Sequence, residues 1–425
     1  MRKDYVRPNT PEAAGWNLIR VDDPDAALIA LGQAARKRFK GKVVAVTGSA
    51  GKTGTKEMLA TALGALGKTH ASQKSYNNHV GVPLTLALMP RDAVYAVIEM
   101  GMNHAGELSQ LTQQVRPHVA IVTTIEPAHI EHFGSLEKIA DAKAEIFEGL
   151  TPDANGNAPV AILNIDNPMF ARLKAAATQN PAVRVLAFGE DDHADTRLLD
   201  CALHADSSKI TADVTGDSVR MRLNIPGKHI AQNALAVLTA IKTVGGNLPK
   251  AVAALESAQA VGGRGARITL MIDGSPPPVT LIDESYNANP GSMRAALDTF
   301  AITEPAPGGR RLAVLGDMLE LGKDGPRLHA DLANAVLHAK VDQLFCCGPQ
   351  MEALYQTLPQ PWRGAHTQDS KALVAPLLAA IKPGDVILVK GSLGSKMAYI
   401  VEALQALNNT AANTGAKPKD NKNAL

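Results

Sequence analysis

The chain has 425 residues with 43 basic against 41 acidic side chains, a formal net charge of +2, and only 4% aromatics. That balance excludes a general electrostatic nucleic-acid binder, and the aromatics are too few for a base-stacking platform. No apolar run reaches bilayer-spanning length, the charged N-terminus lacks the apolar stretch of a signal peptide, and three cysteines make a poor disulfide framework.

A cytosolic, reduced protein is therefore expected. Residues 1–40 read as a lead segment, irregular at first and helical over Asp25–Phe39. An α/β alternation follows. Lys42–Thr47 is an apolar, β-branched run, succeeded by a glycine-rich turn and a helix from about Lys52 to Leu66. Val94–Met100, Val119–Ile125 and Val160–Ile165 are further apolar runs, each followed by a helical pattern. Fully apolar strands alternating with helices predict a parallel sheet covered on both faces. Between 208 and 225 the pattern changes to two alternating strands, with helices near 229–243 and 249–258. Gly262, Gly263 and Gly265 mark a boundary. It divides a central domain, 41–262, from a C-terminal domain, 263–408. The second series runs through Ile268–Ile272, Val279–Ile282, Arg311–Leu315, Gln343–Cys347 and Val386–Val389. It reads as a smaller doubly wound, Rossmann-like sheet. Residues 409–425 have no apolar period and are expected to form a disordered tail.

The strongest local signal is Thr47-Gly48-Ser49-Ala50-Gly51-Lys52-Thr53, between a predicted strand and a predicted helix. Backbone N–H groups of such a turn can close around phosphate oxygens, and the helix N-terminus adds partial positive charge. Lys52 would reach the β/γ-phosphates and the Thr53 hydroxyl would ligate Mg²⁺. A full Walker A loop has glycine five positions before Gly51; Val46 stands there, and Gly48 makes a tighter GxxGKT loop. The central domain is therefore expected to be a P-loop-type ATPase domain. Glu99 ends an apolar strand, where ligands of open α/β sheets bind. A carboxylate there suits Mg²⁺.

Other polar positions are less decisive. His129 lies in the polar loop Thr123–His129. Lys143 shares a helix with Asp141, Glu145 and Glu148, and spacing alone makes it part of an exposed, salt-bridged face. Asn164–Asn167 reads as a simple Asx turn. His229 and Asn233 share one helical face, and Asn233 could bond an adenine edge or cap locally. Asp283–Pro290 carries more polar side chains than a turn needs, which favours a binding loop. Gly316–Gly322 and Lys390–Ser392 also follow apolar strands, and all three loops are expected on one sheet edge.

Taken jointly, VTGSAGKTGTKEM, SYNNHVGVPLTL, VIEMGMNHAGE, HIEHFGSLEKIADAKAEIF, IPGKHIAQNAL, IDESYNANPGSM and VLGDMLELG resemble the Mur ligase family. These segments run in family order from about residue 18 to 405. The resemblance implies amide formation in two steps: ATP phosphorylates a carboxylate, and an amine attacks the acyl phosphate. DESYNANPGSM and LGDMLELG point to the member activity that adds D-alanyl-D-alanine to UDP-N-acetylmuramoyl-tripeptide in peptidoglycan synthesis. Rival readings are a sister ligase with another amino acid or peptide, a non-catalytic nucleotide-binding paralogue, and a phosphotransferase acting on a hydroxyl.

By the same resemblance, Gly48, Ser49, Ala50, Gly51, Lys52 and Thr53 hold the phosphates of ATP. Thr53, Glu99, His129 and Lys143 serve magnesium, with Lys52, His129 and Lys143 as the catalytic set. Lys143 matches a lysine that related ligases carbamylate with CO₂, which reverses the reading from spacing. Asn233 matches the adenine-contacting position and Arg264 the arginine near the domain junction. Asp283, Tyr286 and Asn287 match the loop that closes over ATP and dipeptide, and Asn77 and Asn78 the muramoyl-peptide side. A monomer without a membrane span is implied. The family has an N-terminal domain for the UDP end of the substrate. The roughly forty residues before the loop resemble only its last strand and helix. A common family pattern also has arginine after Lys390-Gly391-Ser392, where this chain has Leu393 with Lys396 nearby.

Overall fold

The computed structural model describes residues 19–128, 130–272 and 275–414. Two sheets organise it. The larger has nine strands: β1 (Lys42–Thr47), β2 (Thr69–Ala71), β3 (Tyr95–Glu99), β4 (Val119–Val122), β5 (Val160–Asn164), β6 (Arg184–Gly189), β7 (Thr196–Leu203), β8 (Ser208–Val214) and β9 (Asp217–Leu223). Their order is β2-β3-β1-β4-β5-β6-β7-β8-β9. Pairing is parallel from β2 to β7 and antiparallel through β8 and β9. The expected parallel sheet is present. The sequence reading did not anticipate β2, β6 or β7.

The apolar runs form strands because both faces are covered. Val44 and Val46 of β1 point into one core with Met58, Leu59 and Leu63 of the helix Lys52–Gly64 and Leu235 and Leu238 of the helix Lys228–Thr243. Val43 and Ala45 point into the other, with Leu108, Leu111, Ile139 and Leu173 from three helices on the opposite face. A strand buried on both sides shows no alternation, which is how its sequence reads. β8 and β9, open to solvent on one face, do alternate in burial.

The smaller sheet contains β10 (Ala266–Ile272), β11 (Ser275–Glu284), β12 (Arg311–Gly316), β13 (Gln343–Cys347), β14 (Arg363–Thr367) and β15 (Val386–Lys390) in the order β10-β11-β15-β12-β13-β14. Only β10 is antiparallel to its neighbour. Successive residues again serve two cores: Ala313 and Leu315 one, Leu312 and Val314 the other. The carboxyl ends of the parallel neighbours β11, β15 and β12 lie side by side, so their three polar loops share one edge, as expected. The helix Ala398–Thr414 continues through 414, which corrects the first six residues of the expected tail to helix; residues 415–425 lie outside the described residues. Among the described residues no helix is long and apolar enough to cross a membrane.

Candidate active site

β1 lies between β3 and β4, so the strand order reverses direction beside it. Such a switch point opens a crevice beyond the carboxyl ends of the strands. The glycine loop that follows β1 fills the base of this crevice. Gly48 has φ +146° and Gly51 φ +81°. A Cβ on Gly48 would stand 1.9 Å from Thr123 Oγ1, and one on Gly51 2.6 Å from Asn233 Nδ2. Only glycine therefore closes this turn at both places. The loop is pinned from β4: Ser49 N–H donates to Thr124 O at 2.8 Å, Ser49 Oγ to Glu126 O at 3.0 Å, and Thr123 Oγ1 to Ala50 O at 2.5 Å. The helix Lys52–Gly64 has no side-chain cap, so its first N–H groups keep their donors for an anion.

Lys52 Nζ donates to Gly48 O at 2.7 Å. Burial holds its pKa below the ordinary 10.5; the Glu99 carboxylate opposes that shift and Arg264 adds to it. Thr53 Oγ1 donates to Glu99 Oε2 at 2.9 Å, and Asn77 Nδ2 to Glu99 Oε1 at 2.7 Å. Glu99 is 1% exposed. Its carboxylate thus meets a hydroxyl beside a phosphate loop, the donor set that octahedral Mg²⁺ completes with phosphate oxygens and water. No group of three or more His, Cys, Asp or Glu is placed for a metal among the described residues.

Lys143 is 2% exposed, which overturns the exposed-face reading from spacing. Asp141, expected beside it, pairs with Arg172, and Glu145 accepts from Gly106 N–H and Ser109 N–H. Burial drives the Lys143 amine well below 10.5, and the Lys52 charge adds to the shift. Among the described residues no carboxylate pairs with it.

The smaller sheet closes the other side. Arg264 lies with its guanidinium 4.1 Å from the Tyr286 ring centroid, and its Nη2 donates across the junction to Ser75 Oγ at 3.1 Å. The Asp283 carboxylate accepts from Gly263 N–H at 2.8 Å and from Ser285 N–H and Oγ, so it shapes the loop. Lys390 Nζ donates to Asn287 O at 3.0 Å and to Glu284 Oε2 at 3.2 Å. A cavity of about 440 Å³ lies between the two sheets. It is lined by Ser49 to Thr53, Asn77, Glu99, Asn233, Arg264, Tyr286 and Asn287.

Most of the residues singled out in the sequence therefore meet in one place. Gly48, Asn78, Asp283 and Lys143 do not line the cavity; Gly48, Asp283 and Lys143 are buried, and Asn78 is exposed. Asn78 Oδ1 accepts from the N–H groups of Val80 and Gly81, at the start of the helix Gly81–Ala87. His129 lies outside the described residues. Several participants had no sequence signal of their own. Ser75 joins Thr53 to Arg264, and Glu126 lies against Gly291 in the first turn of the helix Pro290–Ala301. Burial raises the Glu126 carboxyl against the pull of Arg294. The expected Asx turns form, with Asn164 Oδ1 accepting from Asp166 N–H and Asn167 Oδ1 from Met169 N–H, and Asn167 in addition donates its Nδ2 to Thr124 Oγ1 and Ile125 O. Only its strand-end position hinted at a role.

Residues 46–241 match the Mur ligase middle domain, and residues 266–393 match the Mur ligase, glutamate ligase domain. The chain is 36% identical over 389 residues to the Escherichia coli UDP-N-acetylmuramoyl-tripeptide–D-alanyl-D-alanine ligase, covering 91% of this chain and 81% of that one. The Bacillus subtilis protein of the same name is 32% identical, with 94% and 83% covered. A crystal structure of MurF from Acinetobacter baumannii superposes with a TM-score of 0.81 at 31% identity, covering 91% and 82%.

Proposed function

The chain belongs to the Mur ligase family, and from that premise we propose that it is an ATP-dependent amide ligase adding D-alanyl-D-alanine to UDP-N-acetylmuramoyl-tripeptide. This is a step in making peptidoglycan precursors. The observation that carries the reading is the meeting of a phosphate loop, a buried Thr53–Glu99 pair and the Arg264–Tyr286 stack around one cavity. A nucleotide and two further substrates need such a junction, because one group must be transferred and then displaced within the same enclosure.

ATP would supply the phosphoryl group and Mg²⁺ would neutralise its charge during transfer. Lys52 would turn from Gly48 O onto the β/γ-phosphates, with the N–H groups from Ser49 to Thr53 around it. Thr53 Oγ1 and Glu99 would hold the cation, with His129 as the family's further ligand. Lys143, whose amine burial disposes to give up its proton, would add CO₂ through its nitrogen lone pair and lose a proton. The resulting carbamate would offer two oxygens sharing one negative charge to the cation. Asn233 fits the adenine edge. Tyr286 and Asn287 would close over ATP and dipeptide on a loop that Asp283 shapes. Asn77 would face the muramoyl peptide, with Asn78 fixing its segment. The reading includes a monomer working in the cytoplasm; three free cysteines, Cys201, Cys346 and Cys347, agree with a reducing compartment.

Incubation with ATP, Mg²⁺, UDP-N-acetylmuramoyl-tripeptide and D-alanyl-D-alanine should yield one amide product and equimolar ADP and phosphate, read by mass spectrometry. Product with a single amino acid in place of the dipeptide would identify a sister ligase. ADP release with phosphate retained on a hydroxyl would identify a phosphotransferase.

A further inference from the structure

One buried cation has no part in the reaction as described. Lys56 lies one turn beyond Thr53 on the helix Lys52–Gly64 and is 1% exposed, among the largest fully buried side chains in the molecule. A lysine is almost never buried this completely unless its donors are used. Its Nζ donates to Ser72 O at 2.9 Å and to Lys74 O at 3.1 Å, and it pairs with the Glu57 carboxylate. Two of its donors thus hold the backbone of one segment, residues 72–77.

That segment is under local constraint. Lys74 has φ +46°, a conformation that costs a non-glycine residue roughly 1–2 kcal/mol. Lys74 is exposed and sits in a turn closed by Tyr76 N–H donating to Gln73 O at 3.1 Å, and the bond from Lys56 to its carbonyl ties that turn to the phosphate helix. On either side, Ser72 Oγ accepts from Glu99 N–H at 3.0 Å, and Asn77 O accepts from Gly101 N–H at 2.8 Å. The segment then delivers two side chains to the site. Ser75 Oγ lies 3.4 Å from Thr53 Oγ1 and accepts from Arg264, and Asn77 Nδ2 donates to Glu99 Oε1. The three site residues they touch belong to the phosphate helix, to β3 and to the smaller sheet's side of the cavity.

We propose that Lys56 is a positioning residue of the ligase: from inside the phosphate helix it clamps residues 72–77 in the shape that orients Glu99 and engages Arg264. The clamp ties the cation-binding carboxylate to the same helix that carries the phosphate-binding residues. It rests on the ligase reading above. Removing it leaves the Ser72 and Lys74 carbonyls without the lysine donor and unties the turn at Lys74 from the phosphate helix. Ser75 and Asn77 then move out of register. A misplacement of about 1 Å at such a site costs on the order of 10²-fold in rate.

The test is Lys56→Met, which keeps the chain length and removes every donor. We expect kcat/KM for Mg-ATP to fall roughly ten- to a hundredfold, with the KM for D-alanyl-D-alanine nearly unchanged. Calorimetry should show weakened Mg-ADP binding. Asn77→Ala should cost far less in the Lys56→Met background than in the wild type, because both act through Glu99. Unchanged ATP kinetics in folded Lys56→Met, or fully additive losses, would overturn the proposal. If Lys56→Met does not fold, Lys74→Pro serves instead: it lies on the surface, and proline cannot adopt a positive φ. Wild-type ATP dependence in Lys74→Pro would equally sink the clamp. A wild-type protein that binds Mg-ADP but forms no amide would refute the ligase reading alone, since the calorimetric arm still reports on Lys56.

Discussion

At the scale of single residues, the chemistry rests on groups whose surroundings change what they are. Among the described residues Lys52 donates to Gly48 O alone, so Lys52→Ala removes the cation proposed to face the phosphates and little else. Turnover should fall by on the order of 10²–10³-fold while the thermal midpoint barely moves. A folded variant with normal turnover would remove the loop from the reaction. Lys143 is the instructive case for reading sequence. Its acidic neighbours suggested a solvated face, but helical spacing says which residues share a side and not which side faces the core. The fold turns Lys143 inward and sends Asp141 out to Arg172. Only the family likeness put it forward as a site residue. If a carbamate forms there, Lys143→Ala should be nearly inactive and should regain part of its activity in acetate, measured as amide formation across an acetate series. Normal activity in the alanine variant would end that assignment.

At the scale of elements, the doubly buried strands were plain to read. Lys42–Thr47 and Gln343–Cys347 were expected with the bounds they have, because a six- or five-residue apolar run between turn signals has few other uses. β6, β7 and β14 were missed for the opposite reason. β7 and β14 are only partly buried, so charged and polar side chains interrupt their pattern, whereas β6 has the run Val185–Phe188 but opens on an exposed Arg184 and buries only its last three residues. The attachment of the helix Pro24–Arg38 was likewise invisible. It depends on Arg36, whose Nε donates to Val115 O at 2.6 Å and whose Nη2 donates to Arg116 O at 2.7 Å. His118 sits beside it and accepts from Val43 N–H through Nδ1 at 3.0 Å. Burial and the Arg36 charge press the His118 pKa from 6.5 down to about 4, while Asp153 opposes and Lys42 assists. The unfolded chain therefore binds more protons than the native one between those values, and stability falls as pH drops through that window. His118→Gln should flatten this acid-side loss, measured as thermal midpoints from pH 7 to pH 4. An unchanged slope would mean that another group carries it.

At the scale of the whole molecule, the site exists only where two sheets meet. The sequence revealed both α/β series and the glycine cluster between them. It could not reveal the seam, because contacts such as Arg264 to Ser75 join residues 189 positions apart. Arg264→Ala removes that hydrogen bond and the stack on Tyr286, the latter worth about 0.5–2 kcal/mol. We expect a raised KM for ATP and, in the presence of Mg-ADP, a larger radius of gyration by X-ray scattering than the wild type. An equally compact variant would show that other contacts hold the seam. The smaller sheet carries a different consequence, for synthesis rather than catalysis. β15 sits between β11 and β12, yet it is made after every other strand of that sheet. As the chain emerges, β11 and β12 must wait with open edges and without the partner they share. The larger sheet can meanwhile assemble in order, since domains tend to fold as units during translation. A ribosome that stalls before Val386 would leave a finished phosphate-binding half joined to an adhesive, half-built one, and that intermediate is the species a chaperone or protease would meet.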